Sequence, residues 1–504
     1  MCSSDLMTHS KEFLALEPYL KQLRHAHYLS SLLYFDLATA CPDKSIESQS
    51  ELVNEQDEEM AKIFSSPDFV SKVEALANLP TISKEEKRLA DSLSFNIELL
   101  KKMHLEEYMK ARKAFSKSNE MWRKYKETNQ FSEWLPYWKN CIAYARKIDT
   151  LMMKEGMETP YDSALDMYEP GERSKDLDRI FEPIKNCIKT LLPKVLEKQS
   201  HFPKIEIKPY SIDQQRHLAY AVLNWEKYDL SKGCMRESMH PFTTDISQND
   251  TRITTSYSVS DWRNALYSEI HEAGHALEFQ NKPQEMYDNY LESVNTAAIC
   301  ETHSRLYENI FGRSLEFMPT LKELCAQHLD PSFKEMDVMD FYRLINYVKP
   351  ITNRCDSDEL TYSLHIIIRY EIERDLINGV IECEEVPAIW KAKYKDYLGV
   401  DVPNDTEGCM QDIHWTDNEI GYFPSYLLGN LYGAMIFEKM EEDIHVSSLL
   451  QENKMDEILS YLAKNDYAYD WMEPNDWIKK VTGKELTSEP FIHYLKKKYV
   501  ALYN

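Results

Sequence analysis

The sequence predicts a mainly α fold: a large helical body with a small antiparallel sheet beside one of its helices. Three observations carry this. Glycine supplies only 12 of 504 residues, about a third of the usual ~7% share, which leaves few tight turns for a Rossmann fold, a propeller or a many-stranded sandwich. Hydrophobic residues make up 43% of the chain, ample for a sizeable core. Apolar residues also recur at helical spacing over long stretches with scarcely a breaker.

The first two hundred residues read as long amphipathic helices. Ser83-Lys84-Glu85-Glu86 has the form of a capping box and opens a segment whose apolar side is Leu89, Leu93, Ile97 and Leu100. Heptads are not sustained as far as Glu155, so packed antiparallel helices are expected rather than a coiled coil. Tyr168-Glu169-Pro170-Gly171 reads as a turn. The alternation near Pro203 to Ser211 suggests a short strand. The run HPFTTDISQND from His240 is loop-like, and Arg252 to Tyr257 alternates as a strand. Ser260 and Asp261 then offer an N-cap for a helix with Trp262, Leu266, Ile270, Ala273 and Leu277 on its apolar side. A second helix is expected from about Tyr287 to Asn309, stopping before Gly312. Helical patterns continue to the end, with loops near Ser357 and between Gly399 and Asn418. No repeat or flexible linker interrupts the chain, so 1–504 reads as a single domain, with 1–200 as its helical N-terminal portion and 201–504 carrying the site.

Charge narrows the function. Lys and Arg number 59 against 84 Asp and Glu, a net −25. Such a chain does not hold nucleic acid or an anionic membrane by bulk charge. The ten cysteines are scattered without a CxxC pair, which fits a reducing compartment better than a disulfide framework. The start MCSSDLMTHSKEF lacks the basic head and apolar stretch of a signal peptide, and no run of ~18 apolar residues occurs. A cytoplasmic protein is expected.

Chemistry concentrates in His271-Glu272-Ala273-Gly274-His275. Histidines at i and i+4 project from one helical face, close enough to share a zinc ion. Glu272 can reach a metal-bound water without ligating, as a general base must. A third ligand is needed, and Glu292, Glu301 and His303 follow within reach. Ala297 and Ala298, small residues one turn before Glu301, favour Glu301. Its alternative role is an i,i+4 ion pair with Arg305.

Further motifs accompany this one. His240-Pro241-Phe242, Asp250-Thr251-Arg252-Ile253-Thr254, the run Gly408 to Trp415 (GxxQDxHW) and Gly421 to Tyr426 occur in order. With HExxH they make the chain resemble the carboxypeptidase Taq family of zinc metallocarboxypeptidases, by motif over roughly 160 to 504 and by length over the whole chain. Two motifs depart from the family pattern. HESxQ appears as Cys300-Glu301-Thr302-His303-Ser304, and IRxxAD as Asn353-Arg354-Cys355-Asp356-Ser357-Asp358. The resemblance implies a deep central cleft flanked by the N-terminal helices, a homodimer, and removal of single residues from peptides with a free C-terminus.

An enzyme of that kind must recognise a terminal carboxylate, and a guanidinium matches its two oxygens best. Arg354 is the first choice, being retained in an altered motif. Arg252 is the second, with a structural pair to Asp250 as its alternative. Tyr422, His240 and His414 are candidates to bind the oxyanion or hold the substrate backbone. Gln411 is a further candidate to bind substrate, with building the cleft wall or buttressing a ligand, alongside Asp412 and Trp415, as its alternative. The metal expected is Zn²⁺, with Co²⁺ or Mn²⁺ as substitutes. A zinc oligopeptidase or dipeptidase, or a peptide-binding homologue without efficient turnover, are the competing readings.

Overall fold

In the computed structural model, which describes residues 9–503, the chain runs through 21 α-helices and three short strands. Cys2 and most of the N-terminal stretch read above lie outside the described residues.

Helices begin where their caps predict. Ser83 Oγ accepts the Glu86 N–H at 3.0 Å and starts the helix Lys84–Met103. The Glu86 carboxylate does not close the capping box. It accepts the Ser10 N–H instead, at 2.9 Å, and Ser10 itself caps the helix Lys11–Thr39. One short motif thus ties the starts of two helices together. Leu89, Leu93 and Ile97 from this segment join Phe13, Leu16 and Leu20 in a small core that also takes Met286, Leu291 and Val294. A much larger core runs from Met103 to Tyr503. The helices Leu105–Lys126 and Phe131–Met152 belong to it, pinned by Trp122 Nε1 donating to the Met410 carbonyl (3.0 Å) and Trp138 Nε1 to that of Trp415 (3.1 Å).

Four expectations change. Residues 203–211 form no strand, because Ile205 and Ile207 pack on the large core without a pairing partner. The run after His240 is not all loop: Thr243–Ser247 is a strand, its Thr244 and Ile246 buried. The sheet is mixed rather than wholly antiparallel. Its strands are β1 (Met235–Glu237), β2 (Thr243–Ser247) and β3 (Asp250–Thr255), in the order β1-β3-β2. The chain reverses twice between them, so β1 runs parallel to β3 while β2 pairs antiparallel with it. The fourth change concerns the second helix, which starts only at Ala297. Tyr290, at φ 58°, turns the chain out of the preceding short helix Gln284–Asp288.

The sheet lies against the helix Trp262–Gln280, which carries the HExxH motif. Met235 and Ile253 pack there with Ala273 and Ala276. Asp261 caps that helix by accepting the Arg263 N–H, and all five predicted apolar positions are buried. No helix among the described residues is long and apolar enough to cross a membrane.

Candidate active site

His271 and His275 lie one turn apart with their rings edge to face, centroids 5.0 Å apart. Glu301 reaches them from the helix Ala297–Arg305: its Oε2 stands 3.7 Å from His271 Nε2. One ligand atom from each of the three lies within 4.8 Å of the others. Two imidazoles and a carboxylate at that spacing fit a catalytic divalent metal, three protein ligands leaving a position open. Burial pushes His275 down, toward the neutral form a metal binds. Glu301 also lies 3.7 Å from Arg305 Nε, so the ion pair considered above coexists with the ligand position.

Two glycines let these helices meet. A Cβ at Gly274 would fall 2.8 Å from the His303 carbonyl, and one at Gly429 would fall 2.9 Å from Glu301 Cβ. Gly429 sits on the helix Phe423–Ile444, so the Glu301 helix is clasped between two close-approaching neighbours. Ala297 lines the cleft, and Ala298 donates its N–H to the buried Glu169 carboxylate.

Contacts around the triad fix its orientation. His271 Nδ1 bonds Glu308 Oε2 at 3.0 Å, which leaves Nε2 toward Glu301. Glu308 rides on a π-helical turn, Leu306–Phe311, that directly continues the Glu301 helix. The Cys300 thiol, where the family pattern has histidine, lies 3.3 Å from His275 Nδ1. His303, at the glutamine position, is fully buried between Glu278 (2.6 Å) and Asp466 (3.2 Å), away from the triad. Glu292 pairs with Arg24 instead. Glu272 points to β2, where Thr243 Oγ1 donates to its Oε2 at 2.6 Å.

The triad opens into a cleft of about 920 Å³, lined among others by His240, Arg354, Tyr422, Tyr362 and Tyr426. Arg354 donates from Nε to Asp412 Oδ1 at 2.6 Å, and its terminal nitrogens have no hydrogen bond among the described residues. Asp412 is held in turn by Arg369 Nε at 2.7 Å. Tyr422 packs edge-on to Tyr168 and Tyr426, and burial pushes its phenol well above its ordinary range. His240 sits at the exposed mouth, its Nδ1 donating to the Pro241 carbonyl at 2.8 Å.

Three predicted residues fall outside the cleft lining. Arg252 forks onto Asp250 at 2.8 and 2.7 Å. Gln411 bonds the Thr352 carbonyl and accepts from Arg369, so it braces the Arg354 anchor. His414 is buried against Phe423, and burial with Arg354 nearby lowers its imidazole to about 3. The cleft carries both signs of charge, Arg305, Arg313 and Arg354 facing Glu272, Glu301 and Glu308 among others. Thr243, Glu308, Gly274 and Gly429 are the participants that the sequence reading missed.

Comparison with known proteins agrees with this geometry. The family model for carboxypeptidase Taq (M32) metallopeptidases matches residues 15–499. Carboxypeptidase 1 of Bacillus subtilis is 33% identical over 503 residues, 99% of each chain. The solved structure of Pyrococcus furiosus carboxypeptidase (apo-Mg) superposes with a TM-score of 0.93 at 27% identity, covering 98% of this chain and 99% of that one. Trypanosoma cruzi metallocarboxypeptidase 1 gives a TM-score of 0.91 at 29% identity, covering 97% and 99%. With the metal-ligand set, the cleft and a match over nearly its full length, the chain belongs to the carboxypeptidase Taq (M32) metallopeptidase family.

Proposed function

We propose that this chain is a zinc-dependent carboxypeptidase that releases single residues from peptide C-termini, with Glu272 as general base. The convergence of the His271/His275/Glu301 set, Glu272 and the Arg354 guanidinium in one cleft carries this reading. Zinc bound by the set supplies a Lewis acid for the scissile carbonyl and acidifies water. Glu272, steadied by Thr243, would accept the proton of the attacking water at its carboxylate and deliver it to the leaving amine. Arg354, made rigid by Asp412, pairs with the terminal carboxylate and so sets the reacting carbonyl in place. Tyr422 donates to the developing oxyanion, and His240 holds the substrate backbone at the mouth.

The altered motifs support turnover rather than its loss. Cys300 keeps a contact to His275, and Ser357 Oγ donates to the Arg354 carbonyl at 2.7 Å, which holds the loop around that arginine. The reading extends to a homodimer of a single catalytic unit, 1–504, whose residues 1–200 flank the cleft. A cytoplasmic location is part of it, supported by free thiols at every described cysteine.

The test pairs a peptide with its C-terminally amidated twin, incubated with zinc-loaded protein and followed by mass spectrometry. The free acid is expected to lose its last residue and the amide to stay intact. Glu272→Gln should slow release by about 10²-fold or more with zinc content unchanged. Full activity in that variant overturns the mechanism. Equal cleavage of the amide points to an oligopeptidase or dipeptidase.

A further inference from the structure

Beside the cleft lies a second space, an open groove of about 430 Å³ between the N-terminal helices and the outer edge of β2, called the chamber below. Thr243, Asp245 and Phe279 line both spaces, so the two adjoin. Among the described residues no Lys or Arg lines the chamber, and Asp245 is its only carboxylate.

Asp245 is partly buried, and Lys282 and His27 act on its carboxylate only through space, without a hydrogen bond to it among the described residues. Its Oδ1 is buried without a hydrogen-bond partner. The nearby cations are committed elsewhere. Lys282 forms ion pairs with Glu278 at 3.1 Å and Asp470 at 3.0 Å, and Arg24 with Glu292 at 2.7 Å. His27 Nε2 donates to the Asp245 main-chain carbonyl at 3.0 Å, not to its carboxylate. The Ser30 hydroxyl, also lining the chamber, is buried and unpartnered as well.

Position says what could supply a directly bonded cation. Thr243 and Asp245 share one face of β2, about 7 Å apart at ~3.4 Å per residue. Thr243 touches the proposed base Glu272. A peptide extended along β2 with its scissile carbonyl near Glu272 therefore brings the nitrogen about two residues upstream to Asp245. We propose that this chamber binds the free α-ammonium of a short peptide substrate through the Asp245 carboxylate, which makes Asp245 a determinant of preference for peptides of three to four residues. The proposal rests on the carboxypeptidase reading for the direction in which substrate lies.

Binding measured without turnover tests it. Tetraalanine, its N-acetyl twin and N-acetyl-lysyl-trialanine are titrated calorimetrically into zinc-loaded full-length Glu272→Gln protein. The free amine should bind about tenfold more tightly than the acetyl twin. Adding Asp245→Asn should erase that ratio while leaving affinity for the acetyl twin, a sign that the fold is kept. Asp245→Glu should retain most of the ratio. Equal or absent binding of the two tetraalanines overturns the proposal, as does a ratio that survives Asp245→Asn. The lysyl peptide binding as tightly as tetraalanine overturns the α-ammonium assignment in favour of a side-chain ammonium. Failure of the carboxypeptidase reading shows separately, as no residue released by the wild-type protein.

Discussion

Glu308 shows how much of the site depends on a residue that ligates nothing. Burial alone would raise its carboxyl, but Arg305 and His271 outweigh burial and hold it well below the usual carboxylate range. It stands 3.0 Å from Arg305 Nη1 and 3.3 Å from Arg313 Nη2, so its orientation is fixed before it meets His271. Glu308→Gln is expected to weaken divalent-metal binding about 10–100-fold, read by competition with a chelator of known affinity. Unchanged affinity would deny Glu308 that role. The reach of sequence reading follows from the same contact. His271, Glu272 and His275 are legible because one helical turn fixes their relation. Glu308 meets His271 across 37 residues and Thr243 meets Glu272 across 29, and no local rule announces either. Arg354 could be chosen from its motif, but its anchor Asp412, 58 residues on, turned out to be what Gln411 serves.

Among the helices, closeness of approach is the controlling quantity. Gly429 and Gly433 lie one turn apart on the same helix, yet a Cβ at Gly433 would meet only ordinary contacts, the nearest at 3.7 Å. Gly429→Ala should therefore destabilise the protein by about 1–3 kcal/mol through overpacking and weaken metal binding by moving Glu301. Gly433→Ala should leave melting temperature and metal affinity unchanged or raise stability slightly, since alanine is the better helix former. Differential scanning calorimetry with metal titration of the two variants checks this contrast, and equal behaviour would contradict it. The sequence pointed to small residues near Glu301 but chose Ala297 and Ala298, because which residue faces the crossing depends on packing angle rather than on spacing. Element ends were readable where a side chain caps, as at Ser83 and Asp261. They were misread where a tertiary contact decides, as at β2 and before Ala297.

Over the whole molecule, buried carboxyls set the response to pH. Glu169 is fully enclosed, and burial lifts it to about 8 despite hydrogen bonds from Ser425 and Ala298. An unfolded glutamate titrates near ~4.3. The folded chain thus binds the extra proton between those values, so this contribution is complete below ~4.3 and lost as pH rises through about 8. Glu169→Gln keeps the oxygen that accepts both bonds and removes the titration. Its melting temperature should fall less than that of the wild type between pH 6 and 9, and parallel curves would exclude the assignment. The helical class was legible at this scale because composition and periodicity are summed over the chain, whereas its division into one large and two smaller cores was not. Local opening is expected to follow such a division, the smaller N-terminal core exchanging its amide hydrogens ahead of the large one. Opening of that core would loosen the N-terminal wall of the second groove, to which His27, Ser30 and Tyr34 belong, while the large core stays folded. Metal binding, through mass action, would steady the large core and leave the N-terminal one to open on its own.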